Sequence, residues 1–116
     1  IGDLITVSEA VVKVNVDGET RMSVAEGNGP VNALDMALRK DLGKYQAAIE
    51  GLELIDYKVR ILNGGTDAVT RVLIESHDAR TQRRWFTIGV SSNIVDASFQ
   101  ALVDSITFAL VKAQES

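Results

Sequence analysis

The chain repeats a pattern of strands followed by a helix, and this repeat constrains its fold more than any other feature. Ala33 and Ala37-Leu38 in one helical segment recur 64 residues later as Ala97 and Ala101-Leu102. Each helical segment follows alternating strand patterns and a glycine-containing turn. The repeat predicts a pseudo-twofold α+β fold of two units, each with two or three strands and a helix packed on a small antiparallel sheet.

The first unit contains a hairpin signal. Asp17-Gly18 stands between two alternating runs, Val12–Val16 and Met22–Val24. A two-residue Asp-Gly connection supplies the positive φ values of a tight hairpin turn, so the two runs are predicted to pair antiparallel. A third strand for this unit can only come from splitting Leu4–Val16 near Ser8-Glu9.

The second unit contains three alternating runs. Asn63–Asp67 forms a glycine-rich turn between Leu52–Leu62 and Ala68–Ser76, and a polar loop over His77–Gln82 leads to Arg83–Val90. Successive side chains of a strand point to opposite faces. The alternation of apolar and polar residues therefore predicts antiparallel strands with one buried face.

Two segments change to the spacing of amphipathic helices, Pro30–Lys44 and Ile94–Lys112. Pro30 suits the first helical position because its missing N–H would have no partner there. Ser92 or Asn93 is a candidate N-cap of the second helix. Apolar residues recur every three or four positions in that helix and predict a stripe facing a sheet or a partner: Val95, Phe99, Leu102, Ile106 and Ala109.

The composition bounds the class of protein. A chain of 116 residues with 46% apolar residues can build one domain, which we expect to comprise residues 1–116. The formal net charge of −4 argues against nucleic acid, because phosphate binding needs a basic surface. The densest basic cluster, formed by Arg80, Arg83 and Arg84, is interpreted as part of a solvated loop.

The sequence also predicts a cellular compartment. It contains no cysteine, which excludes disulfide and thiolate chemistry and fits the cytoplasm. We see no signal peptide, and we expect no stretch to be long and apolar enough to span a membrane. The chain begins with Ile1 and not with Met, as a fragment of a longer polypeptide would. We therefore expect a cytoplasmic fragment with no membrane partner.

Few residues could support catalysis. The single histidine, His77, lies beside Asp78 in a polar stretch and is interpreted as a solvated loop residue. Ser91 and Ser92 have no recognisable partner base, and Asp56 lies among charged neighbours. A catalytic metal needs about three protein ligands and an open position, which no spacing of His, Asp and Glu supplies here. The sequence predicts no catalytic residue, no metal site and no cofactor.

The most informative segment is Gly27–Pro30, directly before the first helix. Glycines let the backbone turn tightly, and the first turn of a helix presents N–H groups that carry a partial positive charge. This combination suits a carboxylate or a phosphate, although the Lys-Ser/Thr of a nucleotide-binding P-loop is missing. A plain turn and helix start accounts for the segment equally well.

Six stretches in a specific order span nearly the whole chain: Glu26–Ala33, Leu54–Leu62, Gly65–Ala68, Arg71–Glu75, Trp85–Val90 and Ser92–Ser105. Together they resemble the C-terminal regulatory domain of the 2-isopropylmalate synthase and citramalate synthase family. The strand Asp56–Leu62 and the helix start Asn93–Ser98 look more like a citramalate synthase than an isopropylmalate synthase.

The resemblance implies a domain of two βββα units that dimerises and binds the end-product amino acid of its pathway. That amino acid would be isoleucine for a citramalate synthase and leucine for an isopropylmalate synthase. The resemblance also implies that catalysis belongs to a metal-dependent TIM barrel of the same polypeptide, which condenses acetyl-CoA with a 2-oxo acid. The chain itself is then expected to be no enzyme.

Carried over by position, the effector pocket would draw on both repeats. Amides of the first helical turn would take the carboxylate of the amino acid, and Asn32 or a backbone carbonyl would accept from its ammonium group. Apolar residues would enclose its side chain. Tyr57 and Ile61 share one face of a regular strand and Leu54 does not, so the pocket requires a β-bulge or a shared edge. The residues implied are Gly27, Asn28, Gly29, Val31, Asn32, Leu54, Tyr57, Ile61, Ala68, Thr70 and Ile94.

Two hypotheses of different classes follow. The first is feedback regulation, in which a branched-chain amino acid binds at the interface of a homodimer. The second is a structural dimerisation module that binds no effector. Both require a dimer, which we expect because the stripe from Val95 to Ile106 is long and each sheet exposes a face that its own helix cannot cover. A third hypothesis, an independent small enzyme, fails because no catalytic constellation is present.

Overall fold

The computed structural model describes residues 8–27, 29–40, 42–62 and 68–115. It divides into two compact units, Ile1–Gln46 and Ala47–Ser116. The first unit contains β1 (Ser8–Val16), β2 (Glu19–Gly27) and α1 (Pro30–Lys40), and a 3₁₀ helix (Gly43–Ile49) crosses the boundary. The second unit contains β3 (Leu52–Ile61), β4 (Thr70–Asp78), β5 (Arg83–Ser91) and α2 (Ile94–Glu115).

The hairpin of the first unit forms as predicted. β1 and β2 pair antiparallel around Asp17 and Gly18, whose φ angles are 53° and 83°. Asn15 accepts a hydrogen bond from the Gly18 amide with its side-chain oxygen at 3.0 Å, which holds the turn. Val12 of β1 and Ala25 of β2 are buried on the face that α1 covers. The additional strand predicted before Ser8 falls on residues 4–7, which lie outside the described residues.

The first helix is shorter than its apolar spacing predicts. α1 begins at Pro30 as expected but ends at Lys40, not at Lys44. Gly43 has a φ of 57°, a left-handed backbone that cannot continue a right-handed helix. The following residues bond to the hairpin turn, where the Tyr45 hydroxyl donates to an Asp17 carboxylate oxygen at 3.0 Å. Leu42 is buried as its spacing predicts, although it lies outside the helix.

The second unit is a three-stranded antiparallel sheet with the order β3-β4-β5, and α2 packs mainly on β4 and β5. Alternate residues of β4 are buried beneath α2, including Val72, Ile74 and Ser76. β4 continues through Asp78, so the prediction of a polar loop starting at His77 is wrong. The strand extends because His77 pairs with Arg84 in the ladder to β5.

In β5 the larger apolar side chains lie on the face away from α2. Phe86, Ile88 and Val90 are 61%, 49% and 46% exposed, whereas Trp85 is buried on the opposite face. The cause is Gly89, where an added Cβ would overlap the carbonyl oxygen of Ala97 in α2. Because α2 can approach this closely only over a glycine, the residues that alternate with Gly89 must point outward.

The buried stripe of α2 differs from the predicted stripe at its beginning. Leu102 and Ile106 are buried as expected, but Val95 is 48% exposed and Phe99 is half-buried. Small residues face the sheet instead, because the helix lies close to β4 and β5. The buried set is Ala97, Ser98, Ala101, Leu102, Ser105, Ile106 and Ala109.

α2 is also longer and more apolar than expected. Its segment Ile94–Gln114 has a mean hydropathy of 1.5 and meets the length and composition of a membrane-spanning helix. The expectation that no stretch would do so is therefore wrong. The role of α2 as the cover of a sheet accounts for its apolar residues, and two of its buried residues, Ser98 and Ser105, bear hydroxyl groups.

Candidate functional site

The start of α1 is the first part of the predicted effector site. The Ala33 amide donates to the Gly29 carbonyl oxygen at 3.0 Å, which makes Gly29 the N-cap and Pro30 the first helical residue. The next amide belongs to Val31, and an α-helix offers its first-turn amides no internal partner. A glycine cap has no side-chain oxygen to accept from them.

The start of α2 is capped differently. Asn93, which follows Gly29 by 64 residues, accepts from the Val95 amide at 2.7 Å and from the Asp96 amide at 3.2 Å with one side-chain oxygen. The first turn of α2 also contains a carboxylate, Asp96, whereas the first turn of α1 contains no acidic residue. An approaching anion is therefore better accommodated at α1 than at α2. Of the two N-caps predicted for α2, the structure selects Asn93.

The two described glycines at the start of α1 have different roles. A Cβ at Gly27 would lie 2.7 Å from the Ala33 amide nitrogen, so the end of β2 and the helix approach too closely for a side chain. A Cβ at Gly29 would meet no atom within 4 Å, and the Gly29 backbone is not left-handed. Gly29 therefore leaves open space in front of the helix. Asn28 lies outside the described residues.

A β-bulge in β3 builds the second part of the predicted site. The register shifts between Leu54 and Asp56, so that Ile55 is an extra residue. Leu54 pairs with Ser76, Tyr57 with Ile74 and Ile61 with Thr70. Directly paired residues point to the same face, and these β4 partners lie on the α2 side. Of the two alternatives that the implied pocket left open, a bulge or a shared edge, the structure shows the bulge.

β3 lies at the edge of the sheet, where α2 does not cover it fully. Tyr57 is 37% exposed and Ile61 is 67% exposed, although both lie on the α2 side. Val59 shares this face and is 40% exposed. Within the described β3 the positions on this side carry no charged side chain, so the edge presents an apolar strip with one phenol.

Tyr57 connects this strip to the start of α2. Its hydroxyl lies 3.3 Å from the Ser98 hydroxyl, and Ser98 donates to the Ile94 carbonyl oxygen at 2.7 Å. Because Ser98 gives its proton to Ile94, Tyr57 is the donor in the contact between the two hydroxyls. This chain of hydrogen bonds brings Tyr57 and the 46% exposed Ile94 to the same end of the second unit.

Thr70 lies at this end as well. It pairs with Ile61 on one side and with Ser91 on the other, and the Ser91 hydroxyl accepts from the Asn93 amide at 3.2 Å. Ala68 is half-buried and lies just before β4. Leu54 lies farther along β3, opposite Ser76. The second unit thus gathers Tyr57, Ile61, Thr70 and Ile94, with Leu54 at a distance along the same face.

Sequence reasoning missed two residues of this region. Val59 lies between Tyr57 and Ile61 on the same side of β3, and the strand alternation alone could have identified it. Ser98 positions the Tyr57 hydroxyl and is 2% exposed. The only signal in the sequence that could have identified Ser98 was its position one helical turn after Ile94. A serine at that position is equally typical of a helix without a binding site.

A cleft of about 350 Å³ lies at the opposite end of the sheet and contains none of the predicted site residues. Two of its cationic side chains have structural partners. Arg80 donates to the carbonyl oxygens of Ala47 and Ala48 and lies 3.8 Å from an Asp78 carboxylate oxygen. Lys112 lies over the Phe108 ring near the C-terminus of α2, where a cation complements the helix dipole. Among the described residues no three His, Cys, Asp or Glu side chains cluster as metal ligands would.

Comparison with known proteins identifies the family of this chain. Residues 3–110 match the family model described as the LeuA allosteric (dimerisation) domain. The chain belongs to this family. The resemblance predicted from the sequence is confirmed, as is the α+β fold with two antiparallel sheets.

The relatives favour one branch of the family. The domain is 54% identical over 110 residues to an (R)-citramalate synthase of Geobacter sulfurreducens, covering 93% of the chain and 20% of that protein. It is 55% identical over 103 residues to an (R)-citramalate synthase of Synechocystis, covering 87% of the chain and 18% of that protein. A 2-isopropylmalate synthase of Aquifex aeolicus is 36% identical over 107 residues, covering 90% of the chain and 19% of that protein. The domain therefore spans about a fifth of these relatives and is more similar to the citramalate synthases.

Proposed function

We propose that the domain is the feedback-regulatory and dimerising part of a citramalate synthase, and that a branched-chain amino acid is its effector. The observation that carries the proposal is the difference between the two helix starts. α2 satisfies its first-turn amides with Asn93, whereas α1 has the side-chain-free cap Gly29 at the corresponding position. An amino acid carboxylate is an anion that fits such a helix start.

Each of the two regions, taken by itself, suits one half of an amino acid. The α1 start, with the Val31 amide, suits the carboxylate, and a backbone carbonyl oxygen would accept from the ammonium group. The exposed strip of Tyr57 and Ile61, with Ile94 at the same end, suits an aliphatic side chain. The uncharged character of this strip argues against acidic or basic amino acids, because an unpaired charge is costly to bury.

Isoleucine is the proposed effector and leucine is the second choice. The identity to citramalate synthases, 54% against 36% for the isopropylmalate synthase, supports isoleucine. The rest of the parent polypeptide would hold a catalytic barrel that condenses acetyl-CoA with a 2-oxo acid. Binding to this domain would change the population of active barrels through a coupling free energy of about 1–3 kcal/mol.

Calorimetric titration of the chain with isoleucine, leucine and valine tests the proposal. We expect isoleucine to bind most tightly, with the others weaker by factors of about ten to a few hundred, since one methylene is worth roughly 1–3 kcal/mol in an apolar pocket. Ala68→Val should weaken isoleucine binding more than valine binding. Equal losses for the two amino acids would place the ligand elsewhere.

The alternative is a structural dimerisation module without an effector. The exposed outer side of β5 favours it, because that apolar surface requires a partner whether or not an amino acid binds. A chain that dimerises but gives no heat with any of the three amino acids would establish this alternative.

A further inference from the structure

The β3-β4-β5 sheet has an outer face, on the side away from α2, that combines an apolar strand with a charged one. β5 contributes Phe86, Ile88 and Val90, the three exposed apolar residues described above. Leu73 of β4 pairs with Ile88 and continues the apolar surface toward the middle of the sheet. Exposed apolar surface of this kind on a small domain marks an interaction site.

The charged strand is β3, and the sign of its charge changes along its length. On the outer face Glu53 and Asp56 lie toward one end, and Lys58 and Arg60 lie toward the other. The register establishes these positions. It pairs the apolar β3 residues with the β4 residues that face α2, so the charged β3 residues that alternate with them lie on the outer face. Lys58 and Asp56 lie 3.7 Å apart on this face, which confirms that both point outward.

β4 repeats the same gradient on the outer face. Glu75 pairs with Asp56 at the acidic end, and Arg71 pairs with Arg60 at the basic end. Arg84 is the exception: its guanidinium lies 3.2 Å from a Glu75 carboxylate oxygen, so these two charges offset each other and Glu53 and Asp56 keep this end acidic. The face is therefore acidic at one end, basic at the other and apolar along β5.

We propose that a second copy of the chain packs on this outer face, so that the β3-β4-β5 sheets of the two copies face each other. The twofold axis lies between these sheets and runs perpendicular to the strands. Such an axis reverses the strand direction but keeps each strand over its own copy. The apolar β5 strands then meet each other, and the basic end of one β3 meets the acidic end of the other. The inference rests on the proposed dimerising function and names the surface that performs it.

Other arrangements are less favourable. A twofold axis parallel to the strands would place the apolar β5 over the charged β3 and bury charges without partners. Packing through the outer side of α2 would use the exposed Val95 and Val103, of which only Val95 belongs to the stripe predicted from the sequence. The charged residues beside them are Asp96 and Asp104, so a self-pairing there brings carboxylates together.

Two substitutions that introduce opposite charges at Ile88 test the proposed axis. Because Ile88 lies near the axis, Ile88→Lys and Ile88→Glu should each bring like charges together and raise the dimer Kd about 100-fold or more. An equimolar mixture of the two variants should restore a dimer of near wild-type affinity. Sedimentation equilibrium of the 116-residue chain measures both effects, and thermal melts establish that each variant is folded.

Two matched controls introduce the same charge elsewhere. Val103→Lys on α2 and Met22→Lys on the exposed side of β2 should leave the wild-type Kd unchanged. If the Ile88 variants fail to fold, a mixture of Lys58→Glu and Asp56→Lys repeats the test at charged positions whose side chains are 72% and 47% exposed.

The outcomes distinguish a failure of the proposed interface from a failure of the proposed dimerising function. A monomeric wild-type chain would overturn both the proposed dimer and the surface. A wild-type dimer that persists in the Ile88 variants, or a mixture that fails to dimerise, would overturn the surface alone. A loss of the dimer confined to Val103→Lys would assign it to α2 instead.

Discussion

The two units share the residues that pack a helix on a sheet and differ at the residues around that contact. Ala33, Ala37 and Leu38 of α1 are buried, as are their counterparts 64 residues later in α2. The helix starts have diverged, with Gly29 as the cap of one and Asn93 as the cap of the other. The comparison teaches that the residues that pack the helix on the sheet are the ones that keep the repeat. The helix start is free to differ, and it lacks a side-chain cap in the unit that we propose to hold a carboxylate.

The sides of the helices have diverged as well. Asp35 and Arg39 form an ion pair at 3.0 Å in α1, and Asp35 is 8% exposed. The positions 64 residues later are Phe99 and Val103, which are apolar. Burial raises the pKa of Asp35, and the neighbouring Arg39 opposes this shift by charge attraction and a hydrogen bond. Only the first unit therefore contains a buried titratable group at this position.

The largest expected effect comes from giving the second unit a residue of the first. Ala25 is the counterpart of Gly89, 64 residues earlier, and is buried in β2. Gly89→Ala should lower the free energy of unfolding by about 3 kcal/mol, because the new methyl group overlaps the Ala97 carbonyl. Urea unfolding measures the change.

The control is Gly29→Ala, whose added Cβ enters open space and should cost about 1 kcal/mol or less through the poorer N-cap. Equal stability of Gly89→Ala and the wild type would show that α2 approaches β5 less closely than described here.

The next effect concerns the helix start of the first unit. Gly29→Asp should weaken isoleucine binding about 100-fold, because a carboxylate at the N-cap repels that of the ligand and accepts from the same amides. Folding should change little, since the new charge interacts favourably with the helix dipole by about 0.3–1 kcal/mol. Calorimetry and thermal melting measure the two quantities.

Gly29→Ala serves again as the control and should retain most of the affinity. Wild-type affinity in Gly29→Asp would remove the carboxylate from the α1 start.

The smallest effect is the pH dependence of Asp35→Asn. A raised native pKa means that the native state holds this proton more tightly than the unfolded state. The stability that Asp35 contributes is thus fully present below its unfolded pKa, near 3.8, and is lost as the pH rises through its native value. Relative to Asp35→Asn, the wild type should become less stable between about pH 3 and pH 7.

Thermal melts across this range measure the difference. Phe99→Leu, at the counterpart position, should shift the melting temperature equally at every pH. A constant difference between Asp35→Asn and the wild type would contradict the burial of this carboxylate.

Local signals were enough to predict much of the fold. Asp17-Gly18 determined the hairpin, Pro30 the start of α1 and the repeated alanines the two helix contacts, because each depends on a few neighbouring residues. The end of α1 was missed because the segment after it, which contains the left-handed Gly43, is held by a hydrogen bond between Tyr45 and Asp17, 28 residues away. Alternation alone could not predict which face of β5 is buried, because both faces carry large side chains. The close approach of α2 to Gly89 determines the buried face.

The candidate site divides in the same way. The glycine-containing helix start was predictable from composition, and the parity of Leu54 and Tyr57 narrowed the second part of the site to a bulge or a shared edge. The exposure of the Tyr57 strip was not, because it depends on how far α2 extends across the sheet. The contact between Tyr57 and Ser98 joins residues 41 positions apart, and no local pattern encodes it.

The β-bulge at Ile55 also determines where β3 can lose a residue. On both sides of Ile55, the ladder to β4 keeps its partners, with Leu54 opposite Ser76 and Asp56 opposite Glu75. A chain lacking Ile55 would retain these pairs and regain a regular two-residue alternation, losing only the local bend. Deletions inside a strand normally turn every later side chain to the wrong face. At this one position a deletion is compatible with the sheet, so homologous strands that differ in length by one residue can carry the same side chains on the same face.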